Sequence, residues 1–155
     1  MNRHIQTRPT RPELRIPARY YVRLGEILAH QGVDVTSLLD VAGLPMAELQ
    51  AAEATLSLSQ LETLLTAVMT QHSDSALPFH LGRSLKPSAH SLVGYGMLSS
   101  PTVDHALRFV ARYFKLVMPT FRMRYRSGGG KAELIFEPVM PMSALNLNFH
   151  IETIA

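Results

Sequence analysis

Arg122, Arg124 and Arg126 recur at every second residue, interleaved with Phe121, Met123 and Tyr125. In a β-strand that period sets all three guanidinium groups on one face. Their planar forks match the oxygens of a carboxylate or a phosphate, so one chemistry open to this row is anion capture, with Arg124 at its centre. Glu133 and Glu137 follow at the same period beyond Ser127-Gly128-Gly129-Gly130. A solvated face of opposite charges is therefore the simpler account of the row, each cross-strand pair contributing roughly 0.2–1 kcal/mol. Nucleic-acid contact is a third use, but no aromatic side chain shares the arginine face.

Other chemistries find little support. The seven histidines (His4, His30, His72, His80, His90, His105 and His150) form no recognised metal motif with each other or with Asp and Glu, and no metal or cofactor is expected. Cysteine is absent, which removes disulfides, thiolate nucleophiles and thiolate metal sites together. No nucleophile elbow or dinucleotide fingerprint occurs. Gly128-Gly129-Gly130 precedes strand-like alternation, whereas a phosphate-cradling loop runs into a helix N-terminus. An enzyme is not expected.

The length of 155 residues suits one domain with its own core. Hydrophobic and charged fractions of 46% and 17% belong to a globular chain, and the net charge of +3 is modest. No apolar run nears the ~20 residues that span a bilayer, and the basic N-terminus has no apolar segment behind it, so neither a membrane anchor nor a secretory signal is expected.

The elements follow from period and punctuation. Residues 1–15, with Pro9 and Pro12 among charges, are expected to form a flexible tail, and residues 16–155 one domain. Pro17 suits the first position of a helix carrying Tyr21, Leu24, Ile27 and Leu28, which Gly32 closes. Asp34 can cap a second helix ending at Gly43. Ser57 and Gln60 have capping-box spacing ahead of Leu61, Leu65 and Val68. A short helix covers residues 77–85. A helix-turn-helix over Val35–Gln50 is poorly supported, because its second helix would present no Lys or Arg to a phosphate.

Beyond Lys86-Pro87-Ser88 a glycine-bearing helix starts at Ser91, where Gly94 and Gly96 admit a close neighbour. Ser99-Ser100-Pro101-Thr102 turns the chain. Thr102 caps a longer helix whose buried stripe is expected to be Val103, Ala106, Leu107, Val110, Phe114 and Val117. Phe121–Glu137 then reads as a β-hairpin with one buried face. Residues 143–155 stay ambiguous. Leu145, Leu147, Phe149 and Ile151 alternate as in a strand, while Leu147, His150, Ile151 and Ile154 share a helical face.

Leu92, Gly94, Tyr95, Leu98, Ser99, Ser100, Pro101, Thr102, Ala106, Leu107, Arg108, Arg112 and Tyr113 fit a G-x-L-G-Y-x-x-L-S-S-P-T-x-x-x-A-L-R-x-x-x-R-Y pattern. The stretch resembles the N-terminal regulatory, arabinose-binding-like domain of AraC-type bacterial transcription regulators, and the resemblance covers about residues 17–155. His105 departs from it, standing where an acidic residue is common and weakening the capping box. The resemblance implies a cytoplasmic, mainly helical α+β domain with a small antiparallel β element near residues 119–137. It implies a helix for the last segment, a small-molecule effector of unknown identity, and a homodimer in the full-length protein. The family's DNA-binding half has no counterpart here, so DNA contact is expected only through a domain missing from a chain apparently truncated at its C-terminus. A stand-alone module that dimerises with related regulators is the alternative.

Tyr95, Phe114, Met118, Phe121 and Met123 cluster near the signature. Such residues usually form core, but their other use is the wall of an apolar pocket with Arg124 at its rim.

Overall fold

The computed structural model of the chain describes residues 14–72 and 74–154, so residues 1–13 of the expected tail lie outside the described residues. Strand β1 (Arg15–Pro17) pairs antiparallel with β2 (Thr55–Ser57), setting Ile16 opposite Leu56, and both side chains are buried. The Arg15 guanidinium donates to Oγ1 and the carbonyl oxygen of Thr55 at 3.1 and 3.0 Å. Pro17 therefore ends a strand instead of opening a helix. The expectation failed because a three-residue strand is too short to show a period.

Helix α1 (Arg19–His30) buries Tyr20, Tyr21, Leu24 and Leu28. Asp34 caps α2 (Val35–Val41), accepting from the amides of Thr36 and Ser37. Gly32 and Gly43 hold φ of 81° and 63°, the left-handed conformation that lets each preceding helix stop sharply. Helix α3 (Met46–Leu49) is one turn, so the Val35–Gln50 segment has no second helix long enough to lie in a DNA groove. Ser57 and Gln60 close the expected capping box on α4 (Leu58–Gln71), whose Leu61, Leu64, Leu65 and Val68 enter the core.

Helix α5 (Leu77–Ser84) leads through a 3-10 turn (Pro87–His90) into α6 (Ser91–Leu98). Both signature glycines mark contacts too tight for a side chain. A Cβ on Gly94 would lie 1.6 Å from the Pro87 carbonyl oxygen, and one on Gly96 would lie 2.3 Å from the Phe109 ring. Thr102 caps α7 (Val103–Tyr113) by accepting from the His105 amide, while the His105 ring reaches back to Ser100 at 3.1 Å. The stripe of α7 is shorter than expected. Val103 is 75% exposed, Leu107 and Val110 are half-buried, and Phe114 and Val117 reach the core from a 3-10 turn after the helix (Phe114–Leu116).

Strands β3 (Phe121–Gly128) and β4 (Lys131–Pro138) form the expected antiparallel hairpin. Gly129 and Gly130, with φ of 58° and 76°, make its two-residue turn, which needs positive φ at both positions. The single buried face was expected along the whole ribbon, but only its base is covered. Phe121 and Met123 are buried, Tyr125 is half-buried, and Leu134 is 46% exposed. Toward its tip the hairpin meets α7 through polar contacts, Tyr125 and Ser127 both donating to Asp104.

The last described element, α8 (Ala144–Ile154), is a helix burying Asn146, Phe149 and His150. Ser143 Oγ accepts from the Asn146 amide at 3.2 Å, and the Glu62 carboxylate accepts from the Ser143 amide at 2.9 Å. Helices α5 and α8 touch through Gly82, where a Cβ would meet the Thr153 carbonyl oxygen at 2.2 Å. The described residues form an α+β fold, mainly helical, with two small antiparallel two-stranded sheets. Among the described residues no helix is long and apolar enough to cross a membrane.

Candidate functional site

The close crossing of α5 and α8 at Gly82, and of α6 with the Pro87–His90 turn at Gly94, frames a cavity of about 230 Å³. One wall is Leu81 and Leu85; the next is Val93 and Met97 of α6. Val110 of α7 and then Phe114, Val117 and Met118 close the far side, and Phe149, Thr153 and Ile154 of α8 form the near one. Tyr20, Tyr21, His90, His150 and Thr153 are its polar side chains, and among the described residues no Asp, Glu, Lys or Arg lines it.

Two hydrogen-bonded pairs organise those polar atoms. Tyr21 Oη lies 2.8 Å from His150 Nε2, and His150 Nδ1 lies 2.7 Å from the Asn146 carbonyl oxygen. A carbonyl only accepts, so Nδ1 carries the proton and the phenol donates to Nε2. Burial pushes the His150 pKa down and the Tyr21 pKa up, so both stay neutral near pH 7.

In the second pair, Tyr20 Oη receives an N–H from Arg19 at 3.2 Å and lies 3.1 Å from His90 Nδ1. The Arg19 guanidinium also donates to the Ala89 carbonyl at 2.9 Å and stacks 4.9 Å from the Tyr20 ring centre. Desolvation, then the Arg19 charge, lower the His90 pKa.

Of the six residues that the sequence marked for a pocket, Phe114 and Met118 line this cavity. Tyr95 lies 59% exposed on the outer face of α6. Phe121 is buried with its ring 5.7 Å from that of His150, beneath the cavity lining and not part of it. Met123 is buried at the hairpin base, outside the lining. Arg124 pairs with Glu137 across the hairpin and is not among the residues lining this cavity. The row was legible as a strand face, and the Arg124–Glu137 pair is its opposite-charge reading.

Sequence reasoning missed Tyr20, Tyr21, His90 and His150, because 129 residues separate Tyr21 from His150 and 70 separate Tyr20 from His90. The only advance signal was a histidine on the apolar helical face of residues 147–154.

Two further features frame the site. A cavity of about 190 Å³ lies among α1, α2, α3 and α4, lined by Leu24, Leu38, Leu64, Met46 and Glu26 among others. Asp104, at the start of α7, ties that helix to the hairpin: it accepts from Arg108 at 2.7 Å, Tyr125 at 2.9 Å and Ser127 at 2.8 Å. These donors, Arg108 foremost, hold its carboxyl down at about 2. Among the described residues no three His, Asp or Glu side chains gather as a metal site.

Helices packed around an apolar, ligand-sized cavity with a few neutral polar groups define a small α+β ligand-binding domain. Residues 32–155 match the family described as the arabinose-binding domain of AraC transcription regulators, N-terminal, and the chain belongs to that family. The family is one of transcription-regulator domains, not of enzymes. Among curated proteins, the chain is similar to the Ornithine utilization regulator of Pseudomonas aeruginosa, with 27% identity over 132 residues. That match takes in 85% of this chain and 39% of the regulator, so the chain spans about two fifths of its relative's length.

Proposed function

We propose that this chain is the effector-sensing domain of an AraC-type regulator and that its effector occupies the 230 Å³ cavity between α1, α5, α6 and α8. The observation that carries this reading is the cavity itself. It joins the first helix to the last, so an occupant touches elements that adjoin nowhere in the sequence. Phe149, His150, Thr153 and Ile154 place nearly two turns of α8 along its wall. A ligand there biases how α8 sits against α1 and α5, which is the differential contact that population shift requires. Dimerisation, and DNA contact through a further domain, complete the reading as family properties carried to this chain. Residence in the cytoplasm goes with them.

A thermal-shift screen of amino acids, organic acids, sugars and fatty acids tests it. A ligand specific to the folded state stabilises by about 2.7 kcal/mol at a hundred times its Kd. Val110→Phe, which fills the cavity from α7, is expected to remove any such shift. Hits that keep their full effect in that variant would place the effector elsewhere.

A further inference from the structure

The chemistry of the cavity wall goes further than the family's description, and resting on the reading above, we infer that the effector is an uncharged, one-ring-sized molecule with an apolar body and a single hydrogen-bond-accepting head, held at Tyr20 and His90; it is neither a sugar nor a dibasic amino acid.

Size comes first. A dry protein cavity of roughly 150 Å³ holds benzene. By that scale the present cavity of about 230 Å³ takes one ring and a few further atoms. Leu81, Val93, Met97, Phe114, Val117 and Met118 offer such a body only carbon and sulfur.

Polarity comes next. An ammonium group buried here would meet no carboxylate of the described residues, since none of their Asp or Glu side chains lines the cavity. Burying an unpaired charge is heavily penalised, which argues against an ornithine-like occupant. A pentose presents hydroxyls all round its ring, and each needs a partner once buried. Most polar side chains of the lining are already engaged with the protein. Tyr21 and His150 bond each other, and the Thr153 hydroxyl donates to the Phe149 carbonyl at 2.7 Å.

Among these lining side chains the remaining donor capacity sits at one point. Tyr20 Oη accepts from Arg19, and we assign its own proton to His90 Nδ1, the other partner within reach. The His90 ring, kept neutral by burial and by the Arg19 charge, then carries its proton on Nε2. That N–H is the donor we assign to the effector's head, and it suits a hydroxyl, carbonyl or ether oxygen.

The eight methionines supply the test, because Met97 and Met118 line this cavity, Met46 lines the other one, and Met69 lines neither. Methyl-¹³C-methionine spectra of the intact chain would be recorded with 4-methylphenol, toluene, L-arabinose and L-ornithine. The expected result is saturable movement of the Met97 and Met118 signals with 4-methylphenol. Toluene should bind several-fold more weakly, and the two polar compounds should leave the spectrum unchanged. Tyr20→Phe should narrow the gap between 4-methylphenol and toluene at least three-fold without loss of the cavity signals. Movement of Met97 and Met118 by ornithine or arabinose would overturn this inference while leaving the sensing role intact. Movement of Met46 alone, or silence of Met97 and Met118 toward all four compounds, would overturn the inference and the choice of cavity together.

Discussion

Tyr21 on α1 gives its phenolic proton to Nε2 of His150 on α8 across 2.8 Å, joining residues 129 positions apart in a fully buried pair. The same imidazole donates through Nδ1 to the Asn146 carbonyl one turn back in α8 and packs its ring on Phe121 and Phe149. The first and last described helices are thus fastened at one side chain, directly on the cavity wall.

Tyr21→Phe keeps the ring and deletes the donor, leaving a buried imidazole nitrogen unsatisfied. The expected cost is about 1–3 kcal/mol, the usual penalty for orphaning one buried polar group. Urea unfolding followed by far-UV circular dichroism measures it. An unchanged midpoint would mean that the α1–α8 fastening contributes no stability.

His150 is also the basis of a pH dependence. Its folded pKa lies below 6.5, mainly through desolvation, and that of His90 is lowered likewise. Above pH 6.5 both states are neutral at these sites and stability is flat with respect to them. As pH falls below 6.5 the unfolded chain takes up protons that the folded chain refuses, so stability drops until the folded values are reached. Melting temperatures measured from pH 7.5 to 5 should fall with acid, and His150→Gln should flatten part of that slope. A wild-type curve flat through this window would contradict the buried, neutral histidines.

Gly94→Ala and Gly82→Ala are expected to be among the most damaging small substitutions. Each Cβ would collide with a backbone carbonyl oxygen, at 1.6 and 2.2 Å, and backbone yields less readily than a side chain. Overpacking of this kind costs roughly 1–3 kcal/mol or more. Gly128→Ala, with open space around it, serves as the neutral comparison. Equal melting temperatures for all three would refute the close crossings that frame the cavity.

Phe114→Ala should cost roughly 3–5 kcal/mol as a large buried ring is lost. Phe114 is 7% exposed, its ring lies 5.5 Å from that of Phe136, and it lines the cavity. The same variant enlarges the cavity, so bulkier ligands should be accepted in the thermal-shift screen even as the apo melting point falls.

Asp104 offers a local probe. Its carboxyl titrates at about 2 because Arg108, Ser127 and Tyr125 donate to it. In Arg108→Ala its NMR titration midpoint should move up toward 3.8, the unperturbed value. Global melting should barely change, since the network is solvent-exposed and such pairs contribute little. A midpoint still near 2 would assign the depression to the hydroxyl donors alone.

Local rules determined most of the elements. Asp34, Ser57 and Thr102 stand where a side-chain oxygen can satisfy the amides of a helix N-terminus, and all three do so. The Gly-Gly turn and the two-residue alternation around it placed the hairpin, and Gly94 and Gly96 announced a close approach that the structure contains. These signals depend on neighbours within a few residues, so they are legible in order along the chain. The family pattern of residues 91–114 belongs to the same kind of signal.

Tertiary structure decided the rest, because the deciding contacts bridge distant positions. Strand alternation in Leu145–Ile151 gave way to a helix once Ser143 could cap it, Glu62 could receive the Ser143 amide, and Gly82 could let α5 come close. The three-residue strand β1 exists only because β2 supplies its hydrogen bonds from about forty residues away. Tyr95 and Val103 looked like core from their types, yet both are exposed, and Arg124 pairs with Glu137 across the hairpin. The cavity and its two Tyr–His pairs belong wholly to this second level. A sequence records which side chains are apolar or hydrogen-bonding, but which of them face one another is set when α1 and α8 pack together.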